Sequence, residues 1–297
     1  MSSSVVITGA SAGGLGAQNA IDIARAEPAH LILLARDVSR VQPVINQITG
    51  TISSSSKVAF IPVNLDDLDS VHAAATEVSK QLGQEGKIDV LINNAGIMGV
   101  PYAKTEVGIE SQFATNHLGH FVLTQRLLPL LRRGQDARVV NLSSNGYLVC
   151  PFRPDDVNFD DGKAYDPLSA YGQSKTANIL FTRGLAKRGI MSFALHPGLI
   201  RGTHLSTGMD LRIFASINEI TKKNTGKEFG SFDQPKSIEQ GSATTITAAF
   251  DPTVASASGG YLRDCQLFEV EEYARKDDLV EKLWSLSESL AGEKFVI

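Results

Sequence analysis

The feature that most constrains this chain is a recurring set of short aliphatic and β-branched runs: Val5-Val6-Ile7, Leu31-Ile32-Leu33-Leu34, Val58-Ala59-Phe60-Ile61, Val90-Leu91-Ile92, Val139-Val140-Asn141-Leu142 and Ser192-Phe193-Ala194-Leu195. Each reads as a strand buried on both faces, because a strand covered on one side only would alternate apolar with polar residues. The intervals between them have helical spacing, as in Val71, Ala75, Val78 and Leu82 at i, i+4, i+7 and i+11. Parallel strands need long crossovers, and those crossovers are right-handed. The alternation therefore predicts an α/β fold over residues 1–297: one domain, a Rossmann-type doubly wound parallel sheet with helices on both faces.

With 297 residues and 42% hydrophobic content, the chain can bury a full core. A net charge of −4 leaves no electrostatic footprint for nucleic acid, so a polyanion partner is not expected. The two cysteines, Cys150 and Cys265, form neither a disulfide framework nor a metal-ligand set, which suits reduced thiols in a cytoplasmic protein. The apolar run at Val5 leads straight into a glycine loop without a basic flank, so no signal peptide is expected. No apolar run approaches a membrane span of roughly 18 residues, so no membrane anchor is expected either. Monomer and homo-oligomer stay open.

The loop Thr8-Gly9-Ala10-Ser11-Ala12-Gly13-Gly14-Leu15-Gly16 follows the first strand and opens into a helix. Glycines there permit a tight turn and let backbone N–H groups approach a pyrophosphate at the positive end of the helix dipole. Gly9, Ser11, Gly14, Leu15 and Gly16 are the candidate contacts. Gly13 and Gly14 are adjacent, one residue more than the usual spacing, and either could meet the pyrophosphate. The second strand ends in Arg36. A carboxylate at this strand end suits the ribose hydroxyls of NAD, whereas an arginine suits the 2′-phosphate of NADP(H). NADP(H) is the expected cofactor, with Arg40 as a second candidate contact.

Tyr171 and Lys175 are four residues apart, hence on one face of a helix that Asn178 and Thr182 continue. A neighbouring ammonium favours the phenolate and is expected to bring the tyrosine from its usual value near 10 toward the working range of an acid/base. Alone, that spacing is common on surface helices.

The glycine loop, Asn93-Asn94-Ala95-Gly96 after the fourth strand, Asn141-Leu142-Ser143-Ser144 after the fifth and Tyr171 to Lys175 occur here in one order. In that order they resemble the short-chain dehydrogenase/reductase family of the classical type, over nearly the whole chain. The resemblance implies a catalytic set of Asn116, Ser144, Tyr171 and Lys175. In it Tyr171 exchanges a proton with the reacting oxygen, Ser144 hydrogen-bonds that oxygen, and Asn116 holds a water relay to Lys175. It further implies cofactor contacts at Asn64, Leu65, Asn94, Ala95, Gly96, Tyr171, Lys175, Pro197, Gly198, Ile200 and Thr203. The stretch Asn116 to Phe121, the run Ala170 to Asn178, His196-Pro197-Gly198 and the tail Gly260 to Cys265 look like the branch of retinol dehydrogenases and WW-domain oxidoreductases, without a WW domain. The implied activity is an NADP(H)-dependent interconversion of carbonyl and alcohol on a small hydrophobic substrate. A carbon–carbon double-bond reductase and a non-catalytic NADP-binding regulator are the alternatives.

The chain departs from the family pattern in places. Asn64 stands where many relatives have aspartate, and Thr203 follows Gly202 in place of the usual threonine position. An insertion over about 145–170, with Phe159-Asp160-Asp161, is expected to border the substrate mouth, and a mixed segment over about 204–230 is expected to form a lid. His117 and His120 lack a third ligand and are expected to pack a helix, with no metal bound. The stripe Val280, Leu283, Trp284, Ser287 and Leu290 is expected to pack on the body.

Overall fold

The computed structural model describes residues 3–53, 56–203, 205 and 209–297. Ser54 and Ser55 of the serine run lie outside the described residues, as do His204, Ser206, Thr207 and Gly208 of the expected lid.

Strand and helix alternate from the start: β1 (Ser4–Thr8), α1 (Leu15–Ala24), β2 (His30–Ala35), α2 (Val38–Thr49), β3 (Lys57–Pro62), α3 (Leu68–Leu82) and β4 (Val90–Asn93). A three-residue turn α4 (Ser111–Phe113) runs through a π-helical turn, Ala114–Leu118, into α5 (Gly119–Leu131) and β5 (Arg138–Leu142). Next come α6 (Pro167–Lys187), β6 (Ser192–His196), β7 (Leu199–Ile200), α7 (Ile217–Thr225), β8 (Pro235–Lys236) and α8 (Ile238–Phe250). The chain closes with β9 (Tyr261–Arg263), β10 (Gln266–Phe268) and α9 (Asp277–Ala291).

Eight strands form one sheet in the order β10-β9-β6-β5-β4-β1-β2-β3. All the expected strands are present and parallel. The edge differs from the expectation: β9 extends the parallel set, but β10 folds back antiparallel on it. Only Asp264 and Cys265 join the two, both with positive φ, at 54° and 62°. That pair of left-handed residues is the backbone of a tight hairpin, a geometry whose twist matches the flanking strands.

Successive residues of a strand face opposite sides of the sheet, and the core divides accordingly. Val5 and Ile7 join a cluster with Ala20 and Ile23 of α1, Val44 of α2 and Ala248 of α8. Val6 joins the other, with Val71 and Val78 of α3, Phe121 of α5, Phe181 of α6 and Trp284 of α9. The carboxyl-terminal stripe packs as expected: Val280, Leu283, Trp284 and Ser287 are buried, with Trp284 edge-on to Phe121.

The insertion begins as a 3-10 turn, Asn145–Val149, and then holds an unusual run. Phe159, Asp160, Asp161 and Gly162 all have positive φ, from 50° to 90°. Consecutive left-handed residues are costly outside glycine. The run is held by the buried Phe159 ring, by Asp160 N donating to Asp156 Oδ1 at 2.8 Å, and by Lys104 pairing with Asp161 at 2.6 Å.

Candidate functional site

In an open α/β sheet, a ligand crevice forms at the carboxyl ends of the strands where the strand order reverses. Here that point lies at β1, between β4 and β2. Gly9 turns the chain there with φ +75°, and a Cβ on it would lie 2.8 Å from Ala95 Cα, so only glycine fits. Asn94 Nδ2 donates to Thr8 O at 2.8 Å, and the N–H groups of Asn94 and Ala95 both donate to Thr8 Oγ1, at 2.9 and 3.0 Å. The glycine loop and the Asn94-Ala95-Gly96 segment are thereby fixed as one wall. Gly16 belongs to the same contact, since its Cβ would lie 2.5 Å from Gly9 O.

The structure gives the two adjacent glycines different tasks. Gly13 makes a left-handed turn, φ +75°. Gly14 is the N-cap of α1, and its N–H is spent on Ser11 O at 3.0 Å. It supplies no side chain to cap the helix, so Leu15 and Gly16 open α1 with N–H groups for which the helix ladder has no acceptor. Those groups and the dipole end suit an anionic pyrophosphate.

Arg36 stands exposed just past β2. Ala12 N donates to Arg40 O at 2.8 Å and Gly9 N to Leu34 O at 2.7 Å, so the start of α2 and the glycine loop are neighbours. Val63 N donates to Ala35 O at 3.0 Å, which sets Asn64 and the buried Leu65 beside the same strand end. Beyond β6, Pro197 and Gly198 follow at this edge, Gly198 with φ +93° and its missing Cβ replaced by the Lys236 side chain. Ile200 packs under Gly241 of α8, and Thr203 is half-buried beside the undescribed His204.

Helix α6 starts at an Asp166 cap, which accepts from Ser169 N at 2.7 Å, and continues through Tyr171 and Lys175. Its polar stripe faces the end of β5 and is buried. Lys175 Nζ and Asn178 Nδ2 both donate to Leu142 O at 3.0 Å, and Asn141 Nδ2 donates to Thr182 Oγ1 at 2.9 Å. Lys175 Nζ lies 5.5 Å from the centre of the Tyr171 ring. Ser144, just beyond β5, accepts Gly146 N at 3.0 Å on its Oγ. A Cβ on Gly146 would lie 2.7 Å from Tyr171 Cε1 and 3.5 Å from Ser144 Oγ, so the phenol and the hydroxyl flank one glycine. Asn116 sits in the π-helical turn, with Oδ1 accepting Ile97 N at 2.8 Å and Nδ2 donating to Ser174 Oγ at 2.9 Å. A Cβ on Gly96 would lie 3.1 Å from Asn116 Oδ1 and 3.5 Å from Lys175 Nζ. The four residues expected to act together therefore converge at the crevice.

The electrostatics differ from the expectation in one respect. Burial pushes the Tyr171 phenol up to about 12, with the Ser144 hydroxyl opposing, and burial takes the Lys175 ammonium down to about 7. The spacing alone suggested a phenol lowered by its lysine. Instead the Lys175 amino group lies over the ring and donates a hydrogen bond to the Leu142 carbonyl, and burial governs both groups.

The two histidines do more than pack. His117 Nε2 meets Ser287 Oγ at 2.8 Å, while His120 lies between Thr8 Oγ1, at 2.9 Å from Nε2, and Asn116 O, at 3.1 Å from Nδ1. A carbonyl only accepts, so His120 Nδ1 bears the hydrogen and Nε2 accepts from Thr8. Gly146, which no motif marks, joins the site by its two-residue offset from Ser144. Among the described residues no group of three or more His, Cys, Asp or Glu side chains is placed to hold a metal, and no helix is long and apolar enough to cross a membrane.

Residues 3–151 match the family described as short chain dehydrogenase. Retinol dehydrogenase 12 of Mus musculus is 37% identical over 297 residues, covering 97% of this chain and 86% of that protein. The chain belongs to the short-chain dehydrogenase family. Retinol dehydrogenase 14 of Homo sapiens is 35% identical over 304 residues, with 97% and 86% covered. Within the short-chain dehydrogenases this chain stands on the retinol-dehydrogenase-like branch and is an oxidoreductase. A solved protein of Mycobacterium Paratuberculosis superposes with a TM-score of 0.68 at 34% identity, over 99% of this chain and 95% of that one. A short chain dehydrogenase of Burkholderia cenocepacia, solved with NADP, shares the fold with a TM-score of 0.65 at 22% identity, over 88% and 96%.

Proposed function

We propose that this short-chain dehydrogenase interconverts a hydrophobic alcohol and its carbonyl, of the retinol type named in its relatives, with NADP(H) as the cofactor. The observation that carries this reading is the convergence of Tyr171 and Ser144 on Gly146, with Lys175 over the tyrosine ring. Gly146 N–H occupies a lone pair of Ser144 Oγ, and the serine hydroxyl, which hydrogen-bonds the Tyr171 phenol, is placed to turn its hydrogen to a substrate oxygen lying between them. Ser144 then acts as a neutral donor to developing negative charge. Tyr171, held well above neutral by burial, keeps its proton and is ready to give it to that oxygen, the sense of carbonyl reduction. Lys175, next to it, is placed to restore the proton. When bound, the nicotinamide supplies the hydride for the carbonyl carbon.

Arg36, exposed beside the glycine loop, supports the choice of NADP(H), since a guanidinium pairs with a 2′-phosphate. An apolar cluster supports a hydrophobic substrate. Val149, Leu168 and Ile217 are buried together with Ile213, Phe214 and Phe229 around them, where the insertion meets α7. Turnover of retinal and of aliphatic and aromatic ketones and aldehydes with NADPH tests the reading. Tyr171→Phe is expected to abolish turnover while leaving the NADPH dissociation constant nearly unchanged, because the lost group acts on the reacting oxygen. Wild-type rates in that variant would sink the mechanism.

A further inference from the structure

We propose that Asp233 is a positioning residue for the reaction, holding the turn that presents Ser144 in register with Tyr171. This rests on the reading of Ser144 as the donor to the substrate oxygen.

Asp233 lies between α7 and β8, in a segment without regular structure, yet its side chain is only 15% exposed. Its Oδ2 accepts from Asn145 Nδ2 at 3.0 Å and from His196 Nε2 at 2.9 Å, and its Oδ1 takes the Arg263 guanidinium. These donors come from three strand ends: Asn145 follows Ser144 beyond β5, His196 closes β6 and Arg263 closes β9. Burying a carboxylate costs several kcal/mol unless it is paired and hydrogen-bonded, and here every partner is a donor. The His196 nitrogen facing the carboxylate bears the hydrogen, while its buried Nδ1 has no partner among the described residues. A neutral ring fits that arrangement, because a second N–H there would be buried without an acceptor. Burial, acting against the Asp233 charge and with those of Arg263 and Lys236, holds His196 below its usual value.

Asn145 is the middle residue of the Ser144–Gly146 turn, and Gly146 abuts the Tyr171 ring. Asp233 thus reaches the reacting groups through one side chain. An asparagine could not replace it: the amide keeps one acceptor oxygen and turns an NH2 toward donors.

The test compares Asp233→Asn and Asn145→Ala, each in the wild-type enzyme and in Ser144→Ala. In each protein kcat, KM, the NADPH dissociation constant and the melting temperature are measured. Asp233→Asn is expected to lower kcat by about 10- to 100-fold, the scale of a misplaced catalytic group, with NADPH affinity held within about two-fold. In Ser144→Ala the same change should cost less than about two-fold, since residues acting as a unit are not additive. Equal losses in both backgrounds, or an unchanged kcat in Asp233→Asn, would overturn the proposal. If Asp233→Asn does not fold, Asn145→Ala decides, because it leaves the carboxylate paired with His196 and Arg263. A kcat loss confined to the Ser144 background supports the proposal, and no loss or an equal loss overturns it. A wild type without carbonyl reduction would overturn the proposed function as well, whereas the background comparison can fail alone.

Discussion

The Tyr171 ring lies against the backbone of Gly146, so closely that a single added carbon would sit 2.7 Å from Cε1. Neither side can yield cheaply, because the ring is buried in α6 and the glycine is held through Ser144. Gly146→Ala is expected to lower stability by about 1–3 kcal/mol through overpacking and to lower kcat by about 100-fold through displacement of the phenol. NADPH affinity should stay near wild type. Steady-state kinetics and thermal melting check this, and a wild-type kcat would show that ring and turn separate freely.

His117 and His120 give the fold a defined acid sensitivity. Burial lowers them to about 3 and about 4, each with a smaller contribution from a neighbouring charged or chargeable group, His120 and Lys175 respectively. In the unfolded chain both return to about 6.5. Between about 4 and 6.5 the unfolded chain therefore binds more protons than the native one. Stability rises with pH through that window and is lost as pH falls, at no more than about 2.7 kcal/mol per pH unit for the two together. Urea midpoints across the window measure the slope. His120→Gln should lose about half of it, and an unchanged slope would remove His120 as a cause.

The expected lid divides into two parts. Ile217 of α7 is buried against Val149 and Leu168 of the insertion, whereas in Leu211–Ser216 only Ile213 and Phe214 are half-buried, at the rim of that cluster, and Leu211 is 66% exposed. We propose that residues 209–216 close over the substrate while α7 stays docked. Hydrogen exchange should show α7 amides protected with and without ligands, and the 209–216 amides gaining protection only with NADPH and substrate together. Equal protection of 209–216 in both states would refute this.

The parallel strands were legible because a strand buried on both faces needs a largely apolar run, as β1, β2, β4, β5 and β6 have; β3 carries such a run too, but it stands at the sheet edge and is only partly buried, against the expectation. The three-residue strands β9 and β10 were not, since β9 is created by pairing to β6 and β10 by folding back on β9, and their turn uses Cys265 where glycine would be expected. In the candidate site, helical spacing puts Tyr171 and Lys175 on one face, but only the family resemblance singles them out, as it does Ser144 and Asn116. Thr8 with His120 and Asn145 with Asp233 are pairs 112 and 88 residues apart. Periodicity is local, so neither pair leaves a trace in it.

The choice of coenzyme rests on Arg36, which projects from the end of β2 where Ala35 is buried in the sheet and Arg36 is exposed. Its side chain has no hydrogen bond or ion pair among the described residues, so its removal should cost the fold little. If the guanidinium pairs with a 2′-phosphate, Arg36→Ala should weaken NADP(H) by roughly 1.5–3 kcal/mol, the scale of a charge-assisted hydrogen bond. NAD(H), lacking that phosphate, should bind almost as before. Adding Ala35→Asp places a carboxylate beside the ribose, where it accepts from the hydroxyls and repels the phosphate, and should turn the preference toward NAD(H). Dissociation constants for both coenzymes across the two variants decide the matter. Equal losses for NADP(H) and NAD(H) in Arg36→Ala would mean that the residue serves the adenosine in common, and the NADP(H) assignment would lose its physical basis.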